Sequence, residues 1–458
     1  MRPLTNIFAR AAVAAAVVAI TGCVVPRKAG FDDVSKSLAG RAPYRVHWNQ
    51  GGDEDRAVAD ETRRLLAGEL TVDTATQIAL FNNPELQATY ERLGVAQADV
   101  VQAGLLRNPK LSLHWGFRIL DSGLDELVGS VTGAFLDLFL MPLKKKLANA
   151  EFRRVKLEVA DAVLAKVDAV ADAFYAVQAS TQIVAMRRTM LDAQQAATEL
   201  AVRQHEAGNT SDLDLSNEQA VYTQAKLDLA RAEYQLLTDR EGLTRLLGVW
   251  GNDVDYKVAA RLPDVPRAEA DLAHLERTAV EHRFDLAAAR EELANASAAL
   301  QLVKGTRVLS GLDAGVHAHR DPDGPVTIGP TLDLELPIFD QKQAEVARLR
   351  AELHAAQHRA DALAVAIRSE VRMARNRLMA ARMTIDYYQK TLVPLRERIV
   401  TLSQEQYNAM LLGVYQLLQA KQNEVSSYRE YIESVRDYWI ARADLERSIG
   451  TRLPGDHK

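Results

Sequence analysis

Residues 331–353 read TLDLELPIFDQKQAEVARLRAEL, and two periods share this one run. Up to Leu336 the apolar residues Leu332, Leu334 and Leu336 alternate with Thr331, Asp333 and Glu335, the period of a strand with two unlike faces. Beyond Asp340 the apolar spacing becomes three and four at Val346, Leu349 and Leu353, a helical seam. Pro337 lies between them; lacking an N–H, it ends a hydrogen-bonded ladder and marks the change of period. The run predicts a strand that passes without reversal into a long helix.

Helix dominates on both sides. Residues 143–207 contain neither Gly nor Pro, and at ~1.5 Å per residue such a helix reaches roughly 100 Å, too long for the interior of a compact domain. Residues 341–412 behave alike, interrupted only by Pro394. Between Val346 and Ile385 small or apolar residues fall at 346, 349, 353, 356, 360, 363, 367, 371, 374, 378, 381 and 385. That is a heptad-like seam with one additional four-residue step near Ile367. Its many alanines suit shallow, close packing over a layer of helices; an ordinary antiparallel coiled coil shares the pattern.

The chain repeats itself. IALFNNPELQA (78–88) and TAVEHRFDLAA (278–288) align without gaps at an offset of 200, so that Ala79/Ala279, Leu86/Leu286, Ala88/Ala288 and Glu91/Glu291 coincide and Glu85 faces Asp285. Asn83-Pro84 reads as an N-cap followed by Pro at the first helical position. Each copy continues through an Ala-rich helix, a strand, a polar loop, a second strand and a very long helix. The long helices end at HEAGNTSDLDL (205–215) and YNAMLLGVYQLL (407–418), before a returning helix. Residues 70–262 and 263–450 form the two repeats, and 451–458 a tail.

Four stretches carry the strands: LSLHWGF (111–117), GAFLDLFLM (133–141), GLDAGVHAH (311–319) and Ile328–Leu336. The second is apolar on both faces apart from Asp137, and FLMPLKKKLANAEF (139–152) places Lys144–Lys146 where the first pair of strands meets its helix. About ten residues with one apolar and one polar face suit a transmembrane β-strand. Ser112, His114, Asp313, His317, His319, Asp333 and Glu335 then line a watery lumen. A sheet within a bilayer must close, because an open edge leaves backbone groups unpaired in hydrocarbon. Four strands cannot enclose water; two chains supply about eight and three about twelve. Closure requires an oligomer.

The N-terminus is a secretory signal: Arg2 and Arg10, the apolar run Ala11–Ile20, then Ile20-Thr21-Gly22-Cys23. The apolar run is too short for a transmembrane helix. The last four residues resemble a bacterial lipobox, whose cysteine becomes the lipidated first residue, and Cys23 is the only cysteine in the chain. Acyl chains there, at about 0.8 kcal/mol per buried methylene, anchor residues 23–69, read as an extended segment, to a bilayer. The single cysteine leaves no disulfide framework, and a net charge of -5 over 458 residues gives no support to a nucleic-acid partner. No HExxH, P-loop or Gly-rich phosphate loop is present, so no enzyme, resident metal or cofactor is expected. His354 and His358 stand four apart on a charged helix, the spacing of a metal pair but also of a solvated face.

ALFNNPELQA…QAGLLRNPKLSL (79–113), ELPIFDQKQAEVA (335–347) and the paired hairpin tips resemble the outer membrane efflux proteins of the TolC family, in a lipoprotein form, over roughly residues 70–450. The resemblance implies a mainly α fold with a small β part, in which duplicated long α-helical hairpins form a periplasmic tunnel. It implies four β-strands per chain that complete a twelve-stranded transmembrane barrel in a homotrimer in the outer membrane. The inter-repeat segment and the C-terminus would build an equatorial region. The implied function is the channel of a tripartite efflux system that exports small molecules or metal ions, with a periplasmic adaptor and an inner-membrane transporter as partners. A type I protein secretion duct and a non-conducting coiled-coil envelope lipoprotein are the alternatives. By the same resemblance Asp214 and Tyr407 occupy gate positions at the periplasmic tip. Asp212 stands beside them, and Gln416 and Gln419 stand where the family's best-known member has aspartates. Turn and cap formation accounts for Asp212 and Asp214 without a gate.

Overall fold

The computed structural model describes residues 25–26, 28–117, 124–269, 272–307, 312–320 and 325–453; the signal segment and Cys23 lie outside them. The fold is mainly helical. In order, the elements are α1 (Phe31–Ala39), α2 (Asp53–Ala67), β1 (Glu69–Leu70), α3 (Val72–Asn82), α4 (Pro84–Ala103), β2 (Lys110–Phe117) and β3 (Leu124–Gly133). The first hairpin is α5 (Phe135–Glu206) and α6 (Asp212–Leu247), followed by β4 (Lys257–Val258). The second repeat runs α7 (Leu275–His282), α8 (Phe284–Thr306), β5 (Leu312–Arg320), β6 (Val326–Leu334), α9 (Gln343–Tyr387), α10 (Val393–Asn408) and α11 (Val414–Ile449). The chain divides into two compact units, one of residues 1–32, 91–156 and 288–360, the other of 33–90, 157–287 and 361–458.

The first unit holds an antiparallel sheet of order β2-β3-β5-β6, in which each repeat supplies one hairpin and β3–β5 joins them. The predicted strand at 133–141 is corrected: the second strand is Leu124–Gly133, and helix α5 begins at Phe135. The apolar run Phe139–Leu143 is helical, and Pro142 lies inside α5 rather than at the junction. Asp137, the one charge in that run, is 14 % exposed and pairs with Arg107 at 3.0 Å and with Lys144 at 2.5 Å. The second junction follows the opening stretch more closely. β6 ends at Leu334, the Ile338 N–H donates to the Leu336 carbonyl oxygen at 2.8 Å around Pro337, and α9 begins at Gln343. Glu335 therefore lies beyond the ladder and is exposed, not within a strand.

In the second unit each repeat packs a core of its own. The first joins Ala75, Ile78 and Ala79 of α3, Val170, Phe174 and Val177 of α5, and Leu243 and Leu247 of α6. The second joins Leu275 and Ala279 of α7, Ile367, Val371 and Leu378 of α9, and Val435, Tyr438 and Leu445 of α11. The positions 356, 360, 367, 371, 374, 378 and 385 of the predicted seam are all buried. Trp439 packs against both cores and stacks on Tyr175, ring centroids 5.6 Å apart.

The inter-repeat segment is tied down by Glu269, which accepts from Tyr438 Oη at 2.7 Å and is ion-paired with Arg382 and Arg442. Between α9 and α10, Tyr388–Leu392 is a π-turn in which the Val393 N–H reaches back to the Tyr388 carbonyl oxygen. Pro394 follows and has no N–H to give, so the wider turn absorbs the break without ending the helix. Residues 23–69, expected to be extended, instead carry α1 and α2, with Trp48 buried beside them.

Candidate functional site: the polar strand face and the hairpin tips

Cross-strand register sorts the sheet into two chemistries. One face carries the rows Lys110–Thr132–Gly315–Thr331, Ser112–Ser130–His317–Gly329 and His114–Val128–His319–Thr327, with Asp313 opposite Asp333 beyond them. The other carries Leu111, Leu113 and Trp115 on β2, Val131 on β3, Leu312, Ala314, Val316 and Ala318 on β5, and Val326, Ile328, Pro330, Leu332 and Leu334 on β6. Six of the seven residues assigned to a lumen thus share one face, and Glu335 alone falls outside the strands. Ser130, Thr132 and Thr327 belong with them and were not singled out from sequence, as does Thr331, which alternation puts on the polar side of its strand. The first two were missed because the strand that holds them was misplaced.

Close approach explains two glycines on this face, by a neighbouring backbone at one and by a side-chain ring at the other. A Cβ at Gly315 would lie 2.4 Å from the Val131 carbonyl oxygen, and one at Gly329 would lie 3.1 Å from His317 Cε1, whose ring covers it. The apolar face is uncovered within one chain: Ile328 is 71 % exposed and Leu332 68 %. Among the described residues no helix is long and apolar enough to cross a membrane.

The two tips are one turn built twice, now at an offset of 202. The Gly208 N–H donates to the His205 carbonyl and that of Asn209 to Gln204, as Met410 does to Tyr407 and Leu411 to Gln406. Gly208 adopts φ +77° and Met410 φ +58°, so a methionine holds the left-handed position that glycine fills in the first tip. Ser211 caps α6: its Oγ accepts from the Asp214 N–H at 3.1 Å and donates to Asp214 Oδ2 at 2.7 Å. Gly413 caps α11, and the Gln416 side chain folds back over it so closely that a Cβ would meet Oε1 at 2.7 Å. Asp214 and Gln416 are therefore equivalent third residues of their helices. Asp212 is exposed, 3.3 Å from His205 Nε2, and Gln419 donates to Asn423 Oδ1 at 3.4 Å. Among the described residues no hydrogen bond joins Asp214 to Tyr407 within one chain.

Sequence reasoning missed a further group. Asp168 and Asp172 of α5 and Asp444 of α11 bring carboxylate oxygens within 4.8 Å of one another. One oxygen each of Asp168 and Asp172 is buried without a hydrogen-bond partner. Burial, then repulsion by the neighbouring carboxylates, pushes the Asp172 carboxyl up to about 7 and that of Asp168 to about 6, the latter against the pull of Arg447. The spacing of Asp168 and Asp172 on one helix face is legible in sequence; their meeting with Asp444 is not. His354 and His358 are exposed on α9.

Comparison with known proteins places this geometry. Residues 75–249 match the family model described as outer membrane efflux protein. The cobalt-zinc-cadmium resistance protein CzcC of Cupriavidus metallidurans is 24 % identical over 400 residues, covering 84 % of this chain and 91 % of the relative. The Campylobacter jejuni CmeC outer membrane channel superposes with a TM-score of 0.73 at 13 % identity, over 92 % of this chain and 93 % of that one. CusC superposes with a TM-score of 0.70 at 15 % identity, over 83 % and 92 % of the two chains. The fold is thus that of outer-membrane channels built from duplicated helical hairpins on an antiparallel sheet. Over residues 75–249 the chain resembles the outer membrane efflux protein family.

Proposed function

We propose that three copies of this chain form the outer-membrane channel of a tripartite efflux system, exporting small molecules or metal ions from the periplasm. The observation that carries this reading is the register of the four strands. It gathers Ser112, His114, Ser130, His317, His319 and Thr327 on one face and a continuous apolar set on the other. An exposed apolar face is unfavourable in water and favourable against acyl chains, and twelve such strands close a barrel with the polar face inward. Three histidines with Asp313 and Asp333 on that face support passage of cations, in keeping with the resistance protein named among the relatives. Cys23 carries the lipid anchor.

At the tips of the hairpins Leu213, Met410 and Leu411 are 70 %, 94 % and 78 % exposed, a surface suited to a periplasmic adaptor that in turn engages an inner-membrane transporter. Asp214 and Tyr407 gather around the three-fold axis as the gate, with Asp212, Gln416 and Gln419 lining it. Single-channel recording of the purified lipidated protein in a planar bilayer tests the proposal. Discrete current steps that enlarge in Asp214→Ala and Tyr407→Phe are expected. Silence at every voltage in both wild type and these variants would remove the channel and leave an envelope strut.

A further inference from the structure

The two repeats meet inside one chain along α5 and α11. There Tyr175 stacks on Trp439, and Arg447 Nη2 donates to Asp161 Oδ2 at 2.8 Å. Both members of this ion pair have duplicates. Arg447 stands three residues before the C-cap Gly450, as Arg245 stands three before the C-cap Gly248, within Leu243-Thr244-Arg245 and Leu445-Glu446-Arg447. Asp161 lies in Ala160-Asp161-Ala162-Val163, which recurs 200 residues later as Ala360-Asp361-Ala362-Leu363, with Ala160 and Ala360 both buried. The duplicate of the pair is therefore Arg245 on α6 and Asp361 on α9. Both are exposed; Arg245 acts electrostatically on Glu85, which is itself ion-paired with Lys166, and Asp361 makes no ion pair among the described residues.

Their surroundings are complementary too. Leu237, the duplicate of Trp439, is 63 % exposed, and Val365 and Met373 on α9 are 66 % and 52 % exposed. Where the internal joint crowds Asp168, Asp172 and Asp444, the duplicated positions are Arg368, Arg372 and Gly242, with the acidic Glu241 exposed next to the last. A duplicated unit that uses one face of each kind internally leaves one face of each kind over. In a ring, the spare α6 face of one copy meets the spare α9 face of the next.

We infer that Arg245 of each copy pairs with Asp361 of its neighbour, repeating between subunits the Arg447–Asp161 bridge found within the chain. The inference rests on the trimeric reading above. It is tested with full-length protein in detergent, following the trimer-to-monomer transition on heating by light scattering. Arg245→Glu and Asp361→Arg each shift the transition to lower temperature, and the doubly exchanged chain recovers most of the loss. Coexpressing R245C chains with D361C chains yields a disulfide-linked dimer of chains that neither yields alone. A trimeric wild type whose double exchange is no better than the two singles added, and whose cysteine chains do not link, overturns the pairing while leaving the trimer. A wild type that is monomeric in detergent overturns the trimer itself.

Discussion

Asn82 Nδ2 donates to the Gly248 carbonyl oxygen at 2.6 Å, and a Cβ on Gly248 would lie 2.6 Å from the Asn82 carbonyl oxygen. The C-terminal ends of α3 and α6 are thereby held side by side, by a side-chain hydrogen bond and by close backbone approach at the glycine. Asn83 extends the clasp by donating to Leu246 at 2.8 Å; in the second repeat Arg283 takes its place and donates to Ser448 at 3.4 Å. Gly450, the counterpart of Gly248, leaves 3.3 Å to Arg283.

The difference predicts unequal mutants. Gly248→Ala suffers left-handed strain of about 1–2 kcal/mol and overpacking of about 1–3 kcal/mol. Gly450→Ala suffers mainly the first. Thermal unfolding followed by circular dichroism should show the larger loss for Gly248→Ala; equal losses would mean that the clasp does not constrain the helix end.

Met410 holds a left-handed conformation without glycine's freedom. Met410→Gly should stabilise the second tip by roughly 1 kcal/mol, while Gly208→Ala should destabilise the first by a similar amount. Hydrogen exchange at the amides of residues 405–414 reads the first change directly: protection should rise. Unchanged protection would show that the turn is not strained.

The acidic group on α5 and α11 gives a pH dependence with a definite sign. In the unfolded chain these carboxyls titrate near the ordinary value of 3.8, in the folded protein at about 6 and 7. From pH ~4 to pH ~7 the folded state holds more protons, so stability contributed by these groups falls as pH rises and returns on acidification. Arg447 beside Asp168, and Arg377 at 3.8 Å from Asp444, moderate the fall. Asp172→Asn should flatten this slope and raise the melting temperature at pH 7.5 by about 2–4 °C, the equivalent of about 1 kcal/mol. A lower melting temperature would show that the carboxylate is needed in its charged form.

Neighbouring residues of β6 should behave in opposite ways. Leu332→Arg puts a charge on the apolar face and should cost about 2–4 kcal/mol of insertion near a bilayer midplane. Thr331→Arg, on the polar face, should insert normally and shift the channel toward anions. Membrane fractionation and reversal-potential measurements separate the two, and loss of insertion in both would remove the distinction between the faces.

Much of this was legible in the chain. Alternation at Leu111–Phe117, Leu312–Ala318 and Ile328–Leu334 identified three strands because one face of each is polar and the other apolar. The fourth was misread: on β3 the polar-face row is interrupted by Val128 and the apolar face holds Gly129, so Leu124–Gly133 alternates weakly. The nearby apolar run Phe139–Leu143 then looked more like a strand than it is. The short N-terminal helices were hidden for a different reason. α1 buries only a short helically spaced set, Phe31, Val34 and Leu38, and the rest of the segment is held by buried Trp48 together with side-chain hydrogen bonds such as Gln87 Nε2 to the His47 carbonyl at 2.9 Å.

By itself the sequence determined the repeat, the long hairpins, the turn positions and the two-faced strands, because each depends on local period and on Gly or Pro at fixed places. Only the tertiary structure decided which strands are neighbours, that the tips share one hydrogen-bonding pattern, and that Asp444 faces Asp168 and Asp172. The β3–β5 pairing and the acidic group join residues far apart in the chain. They follow from the packing of one repeat on the other, which no local period records.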